Sequence, residues 1–144
     1  MKLLPYDPGI LPTKPAPQKG AVIEFQVDGY PPYKDKSFSI RNIGHRNYGR
    51  FTKLRECGIK AMAGRAWTHR PVSVEFLLFA PVLEKGRRVL DYWAGIEDTL
   101  DGSSGSTFTY LPVVFEDDCQ ISVSKTMRYI KSEQTKYTLR FEIL

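Results

Sequence analysis

A chain of 144 residues has room for one domain around one modest core. With 42% hydrophobic and 26% charged residues it has the profile of a soluble globular protein, and no apolar run nears the roughly 20 residues that cross a bilayer. The net charge of +5 excludes an acidic, solvating chain and directs attention to polyanionic partners.

Residues 1–20 hold five of the ten prolines and read as an extended or disordered arm. Met1-Lys2-Leu3-Leu4 runs at once into Pro5 and Asp7, so no signal-peptide core is expected and the chain is read as cytoplasmic. Residues 21–28 alternate as a strand, with Ile23, Phe25 and Val27 on one face. Gly29-Tyr-Pro-Pro32 ends it, because two prolines cannot pair in a central ladder. Residues 33–45 are polar, with a short strand expected at Phe38–Ile40.

From Arg46 to about Ala66 the spacing turns helical, with Phe51, Leu54, Gly58, Ala61 and Met62 on one side and most of the bases on the other. Residues 71–79 form the clearest strand. A basic loop, Lys85-Gly-Arg-Arg88, leads to Asp91, which suits a helix N-cap. Trp93, Ile96 and Leu100 make the apolar stripe of that second helix, and Gly102 suits its C-terminal stop. Ser103–Ser106 reads as a flexible connector, and residues 107–115 as extended chain. Residues 119–125 and 137–143 alternate as the last strands, with a polar turn at 131–136. The order β, α, β, α, β, β predicts an α+β (mixed α/β) fold: one small mixed sheet covered by two helices.

The charges are segregated. Residues 41–70 carry eight bases against Glu56 alone, while residues 84–118 carry eight acids against three bases. Basic surface with a local acidic cluster is what a metal-dependent nuclease needs: bases hold phosphate and acids hold the cation. A solvated helix face accounts for the basic run equally simply. Cys57 and Cys119 are far apart in sequence and form no CxxC, so two reduced thiols are expected.

The stretch FEDDCQIS places Glu116, Asp117 and Asp118 side by side. Such repulsion needs a cation, a turn or open solvent. Asp91 is open to two roles in the same way, metal ligand or plain N-cap. Tyr30 and Tyr33 suit either base stacking or loop packing, and Trp93 suits the core.

Four pieces then line up in order: a strand ending in Gly29-Tyr-Pro-Pro32, a basic helix followed by the strand at 71–79, Leu90-Asp-Tyr-Trp93 with Asp98-Thr-Leu-Asp-Gly102, and Asp117-Asp-Cys-Gln-Ile121. Over residues 21–144 the chain resembles the RusA family of Holliday-junction resolvases, small homodimeric endodeoxyribonucleases common in phages and prophages. The resemblance implies a magnesium-dependent cut in branched DNA during recombination and repair, with manganese as a substitute ion. It implies Asp91 and Asp118 as metal ligands, with Asp117 beside them. The family's first aspartate falls on Val89, its asparagine on Tyr92 and its lysine near Gly95. Glu97, Asp98 or Glu84 is then the substitute carboxylate, and Arg87 or Arg88 the substitute cation. Arg46, Arg50, Lys53, Lys60, Arg87 and Arg88 are the expected phosphate contacts. A two-fold dimer would match a four-way junction. The departures leave a second expectation, a RusA-like binding module without chemistry, and a third, a structural or inhibitory phage protein whose basic face meets an acidic partner.

Overall fold

The computed structural model describes residues 11–33, 46–101, 111–121 and 125–144. Alternating apolar residues build its sheet. Strand β1 (Val22–Asp28) buries Ile23 and Val27 and exposes Val22, Glu24 and Gln26. Strand β2 (Val72–Ala80) buries Val72, Val74, Phe76, Leu78 and Ala80. Strand β3 (Lys125–Lys131) follows the second helix, and β4 (Lys136–Ile143) buries Tyr137, Leu139, Phe141 and Ile143. Successive side chains in a strand point to opposite faces, so these buried sets share one surface.

The strand order is β1-β4-β2-β3. β4 is antiparallel to both β1 and β2, while β3 runs parallel to β2. Parallel neighbours need a crossover, and α2 (Val89–Leu100) supplies it. The other helix, α1 (Tyr48–Met62), packs against β1 and against α2. Both helices therefore cover the same face, and the result is a single-domain α+β fold with a four-stranded mixed sheet. Phe51 and Leu54 from α1, and Trp93, Ile96 and Leu100 from α2, are fully buried there. Each such side chain contributes about 1.5–3 kcal/mol by leaving water. Among the described residues no helix is long and apolar enough to cross a membrane.

Several boundaries differ from the sequence expectation, each for a local reason. Helix α1 stops at Met62 because Ala63 (φ 54) and Gly64 (φ +85) turn left-handed. The cap of helix α2 stands three residues before the expected one. Arg88 is its N-cap, and Asp91 sits one turn in, where its carboxylate accepts the Arg88 backbone N–H at 2.8 Å. Residues 118–120 form a 3₁₀ turn rather than the start of a strand, and β3 begins only at Lys125. Of the extended stretch at 107–115, residues 111–115 form no ladder, though Phe115 bridges to Thr68. Phe38–Ile40, His45, Gly102 and Ser103–Ser106 lie outside the described residues.

Residues 11–14 of the proline-rich arm run along the end of α1. The Gly64 carbonyl accepts from the backbone N–H groups of Thr13 and Lys14, and Lys14 accepts in turn from Ala66. Arg55 is buried, at 2% exposure, and ties α1 to the far end of α2 by donating to the Thr99 and Leu111 carbonyls. That cation also suits the negative end of the α2 dipole.

Candidate nucleic-acid interface and the carboxylates of α2

The basic residues converge on the loop that leaves β1. Gly29 takes φ +90, which a residue without Cβ adopts at little cost. The chain then lays Tyr30 on Tyr92 (centroids 6.0 Å apart) and sets Tyr33 edge-on to the same ring at 6.2 Å. The Tyr30 hydroxyl donates to the Val82 carbonyl at 2.6 Å. Both tyrosines thus pack the loop. Gly95 makes this seating possible, because a Cβ there would overlap the Pro32 carbonyl.

Around that aromatic platform stand three arginines. The guanidinium carbon of Arg87 lies 3.6 Å from the Tyr33 ring centre, that of Arg46 5.5 Å and that of Arg50 5.7 Å. Cation–π contact lets like charges gather around one ring at reduced cost. Arg50 is fixed further by a two-pronged pair with Glu84, at 2.8 and 2.9 Å. Tyr92 donates its hydroxyl to the same carboxylate at 2.9 Å. Arg50 first, and then Tyr92, hold the Glu84 carboxyl below its ordinary range. Lys53 joins Arg46 and Arg50 on the wall of an open cleft of about 300 Å³, with Asp28 and Tyr137 among its other residues.

Four of the six expected phosphate contacts therefore gather in one region: Arg46, Arg50, Lys53 and Arg87. Lys60 lies two turns beyond Lys53 on α1, about 10 Å along the axis. Arg88 is 78% exposed and stands 3.7 Å from Asp91.

The carboxylates divide differently. Glu116 pairs with His69 at 2.8 Å. Asp117 caps the 3₁₀ turn by accepting the Cys119 backbone N–H, which holds its pKa low. Gln120 closes that turn: its carbonyl accepts from the Glu116 and Asp117 N–H groups, and its amide donates to the Thr68 and Arg70 carbonyls. So two acids of the FEDDCQIS triplet have structural partners. Asp118 has a like charge beside it instead. The hydrogen bond with Asp117 raises its pKa most, followed by burial and by the charges of Asp117 and Asp98. Glu97 is raised too, first by burial and then by Asp118, against the opposing charge of Lys125. The C-terminal half of α2 and the 3₁₀ turn thus bring Glu97, Asp98 and Asp118 into one electrostatic neighbourhood.

Asp91 stands apart from it. It precedes Asp98 by seven residues, about 10 Å of helix axis, and is occupied in capping α2. The parallel β2–β3 pairing explains the separation: the crossover helix must run back along the sheet, so its end, not its start, meets the approach to β3.

A magnesium ion takes hard oxygen ligands in an octahedron, and carboxylates are the right donors. Their arrangement does not fit: among the described residues no group of three or more His, Cys, Asp or Glu lies close enough together to hold an ion. Glu84, a candidate substitute, is taken by Arg50 and Tyr92. Gly95, near which the resemblance would set a lysine, has no room for any side chain. Tyr92, at the position of the family's asparagine, supports the loop through Glu84. Neither Tyr137 nor Gln120 was singled out from the sequence, although the Gln within Asp117-Asp-Cys-Gln-Ile121 was a visible signal. No family model matches the chain, and no curated protein matches it.

Proposed function

We propose that this chain is a RusA-like protein that engages branched DNA, holding its phosphate backbone at the cluster of Arg46, Arg50, Lys53 and Arg87. The observation that carries this is the convergence of three arginines on the single Tyr33 ring. Cations brought so close repel one another, and a polyanion relieves that repulsion while releasing its own counterions. Glu84 pairs directly with Arg50, and the charge of Arg87 reaches it as well. Work on branched DNA in recombination or repair, as a two-fold dimer matching a four-way junction, completes the proposal.

Magnesium-dependent cleavage is the second reading, and one observation favours it. Glu97 and Asp118 each carry a raised pKa with a neighbouring carboxylate among the causes, a repulsion that a divalent cation would relieve. Against it stand Asp91, committed to the helix cap, and the absence of a three-ligand group among the described residues. The four-way junction is the deciding substrate, with linear duplex as control, in Mg²⁺, in Mn²⁺ and in EDTA. Junction binding in all three buffers without nicking is the expected result. Nicking in Mg²⁺ that Asp118→Asn abolishes would establish the endonuclease instead. Equal, salt-insensitive binding of both DNAs would remove the DNA proposal altogether.

A further inference from the structure

One cation of the cluster is fixed at both ends and still has its donors free. The Arg87 backbone N–H closes a turn onto the Glu84 carbonyl at 3.0 Å, and Gly86 within that turn takes φ +76, the left-handed value that a type II turn needs at its third residue. Glu84, at the head of the turn, is tied in its own right to Arg50 and Tyr92. At the far end of the side chain, the guanidinium carbon stands 3.6 Å from the centre of the Tyr33 ring, which is stacking contact. Tyr33 is itself immobilised. It is buried, Tyr92 meets it edge-on, and its carbonyl accepts from the Asn47 amide at 3.4 Å.

The hydrogen-bonding rim of Arg87 is unused. Among the described residues its guanidinium makes no hydrogen bond and no ion pair, although its charge reaches Glu84. Its nitrogens are not among the buried side-chain atoms that lack a partner, so the rim is not sealed from solvent. Arg50 is the opposite case, with donors given to both Glu84 oxygens and to the Pro31 carbonyl. A ring beneath a guanidinium fixes its plane and leaves the N–H groups at the edge, in a rigid fork that matches two oxygens of one phosphate. We infer that Arg87 is a pre-set phosphate fork, which takes two oxygens of a single DNA phosphodiester, and that Tyr33 is the positioning residue that sets its plane. The inference rests on the proposed engagement of DNA and deepens it. Loose charge attracts a backbone anywhere along the cluster, whereas a fork of fixed plane seats one phosphate and so sets the register of the DNA. A free or terminal phosphate offers the same pair of oxygens.

The test separates the fork from its charge. Electrophoretic binding of a four-way junction, at several salt concentrations, is measured on wild type, Arg87→Lys, Tyr33→Leu, Tyr33→Phe and the double variant Arg87→Lys/Tyr33→Leu. Inorganic phosphate is titrated against wild type and Tyr33→Leu, with the Arg87 Nε–H resonance as the readout. Arg87→Lys keeps the cation and loses the fork, so junction affinity should fall about tenfold at the wild-type salt slope. Tyr33→Leu should fall similarly, and Tyr33→Phe, which keeps the ring, should restore most of the loss. The double variant should bind little worse than Arg87→Lys, because Tyr33 acts through Arg87. Phosphate should shift the Arg87 signal in wild type and much less in Tyr33→Leu. If Tyr33→Leu fails to fold, Arg87→Lys decides alone. Wild-type junction affinity in Arg87→Lys overturns the fork and leaves the DNA proposal standing. Losses that multiply in the double variant overturn the positioning role of Tyr33. A Tyr33-dependent response to phosphate without junction binding keeps the fork, assigns it to a free or terminal phosphate and removes the DNA proposal. Failure of wild type to respond to either ligand overturns both.

Discussion

Helix α2 has two charged regions beside it, and they are built on opposite rules. Near its first turns a carboxylate meets a guanidinium, and the Glu84 pKa goes down. Near its last turns carboxylates meet carboxylates, and the Glu97 and Asp118 pKa values go up. The matched pair fixes a loop; the unmatched group is left with a repulsion that proton, salt or cation can relieve. A local excess of charge is thus informative about ligands only after its internal partners have been subtracted. By that measure Glu84 and Asp117 are accounted for, and the raised pKa values of Glu97 and Asp118 mark the repulsion that remains.

The sharpest way to break the matched region is Gly95→Ala. A Cβ there must displace the Pro32 backbone, and with it the Tyr30 and Tyr33 rings that seat the arginines. The expected cost is about 3 kcal/mol, at the upper end for an overpacked contact, read as a lowered urea midpoint. Glu84→Gln is next. It leaves a weaker partner for Arg50 and should cost about 1 kcal/mol, since both side chains are partly exposed. Its pH signature is specific. A depressed folded pKa gives stability that is present above the unfolded carboxylate pKa and is lost as pH falls through the folded value. The gap between wild type and Glu84→Gln should therefore close in acid.

Glu97→Gln should act in the other direction. A raised carboxyl pKa penalises the folded state above that pKa, and the penalty disappears as pH falls through it toward the unfolded value. The variant should be the more stable one at neutral pH, by roughly a few tenths of a kcal/mol after solvent screening, and the two should converge in acid. Thermal midpoints across pH 2–8, a range of about six units, read both signs in one experiment. Glu116→Gln should change least. Its pair with His69 is 54% and 72% exposed, so an effect below about 0.5 kcal/mol is expected in the same assay.

The elements were largely legible in the sequence. Alternation in β1, β2 and β4 and the apolar stripes of both helices are burial patterns, and burial is what periodicity records. What failed was where side chains compete with the backbone. Asp91 looked like an N-cap but is the acid one turn inside, because an arginine, an unusual cap, stands at the helix start. Asp117 and Gln120 take the backbone groups that a strand would have used, so β3 starts later than its alternation suggests. For the site, the gathering of Arg46, Arg50, Lys53 and Arg87 followed from the charge run, but the ring that gathers them did not.

The most direct test of the account is the salt dependence of four-way-junction binding, in EDTA, for wild type, Arg87→Gln and Glu97→Gln. Removing one cation that neutralises a phosphate should reduce the slope of log affinity against log salt by about 1. The account predicts that reduction for Arg87→Gln and a wild-type slope for Glu97→Gln. Equal slopes for all three, or a reduced slope for Glu97→Gln alone, would contradict it.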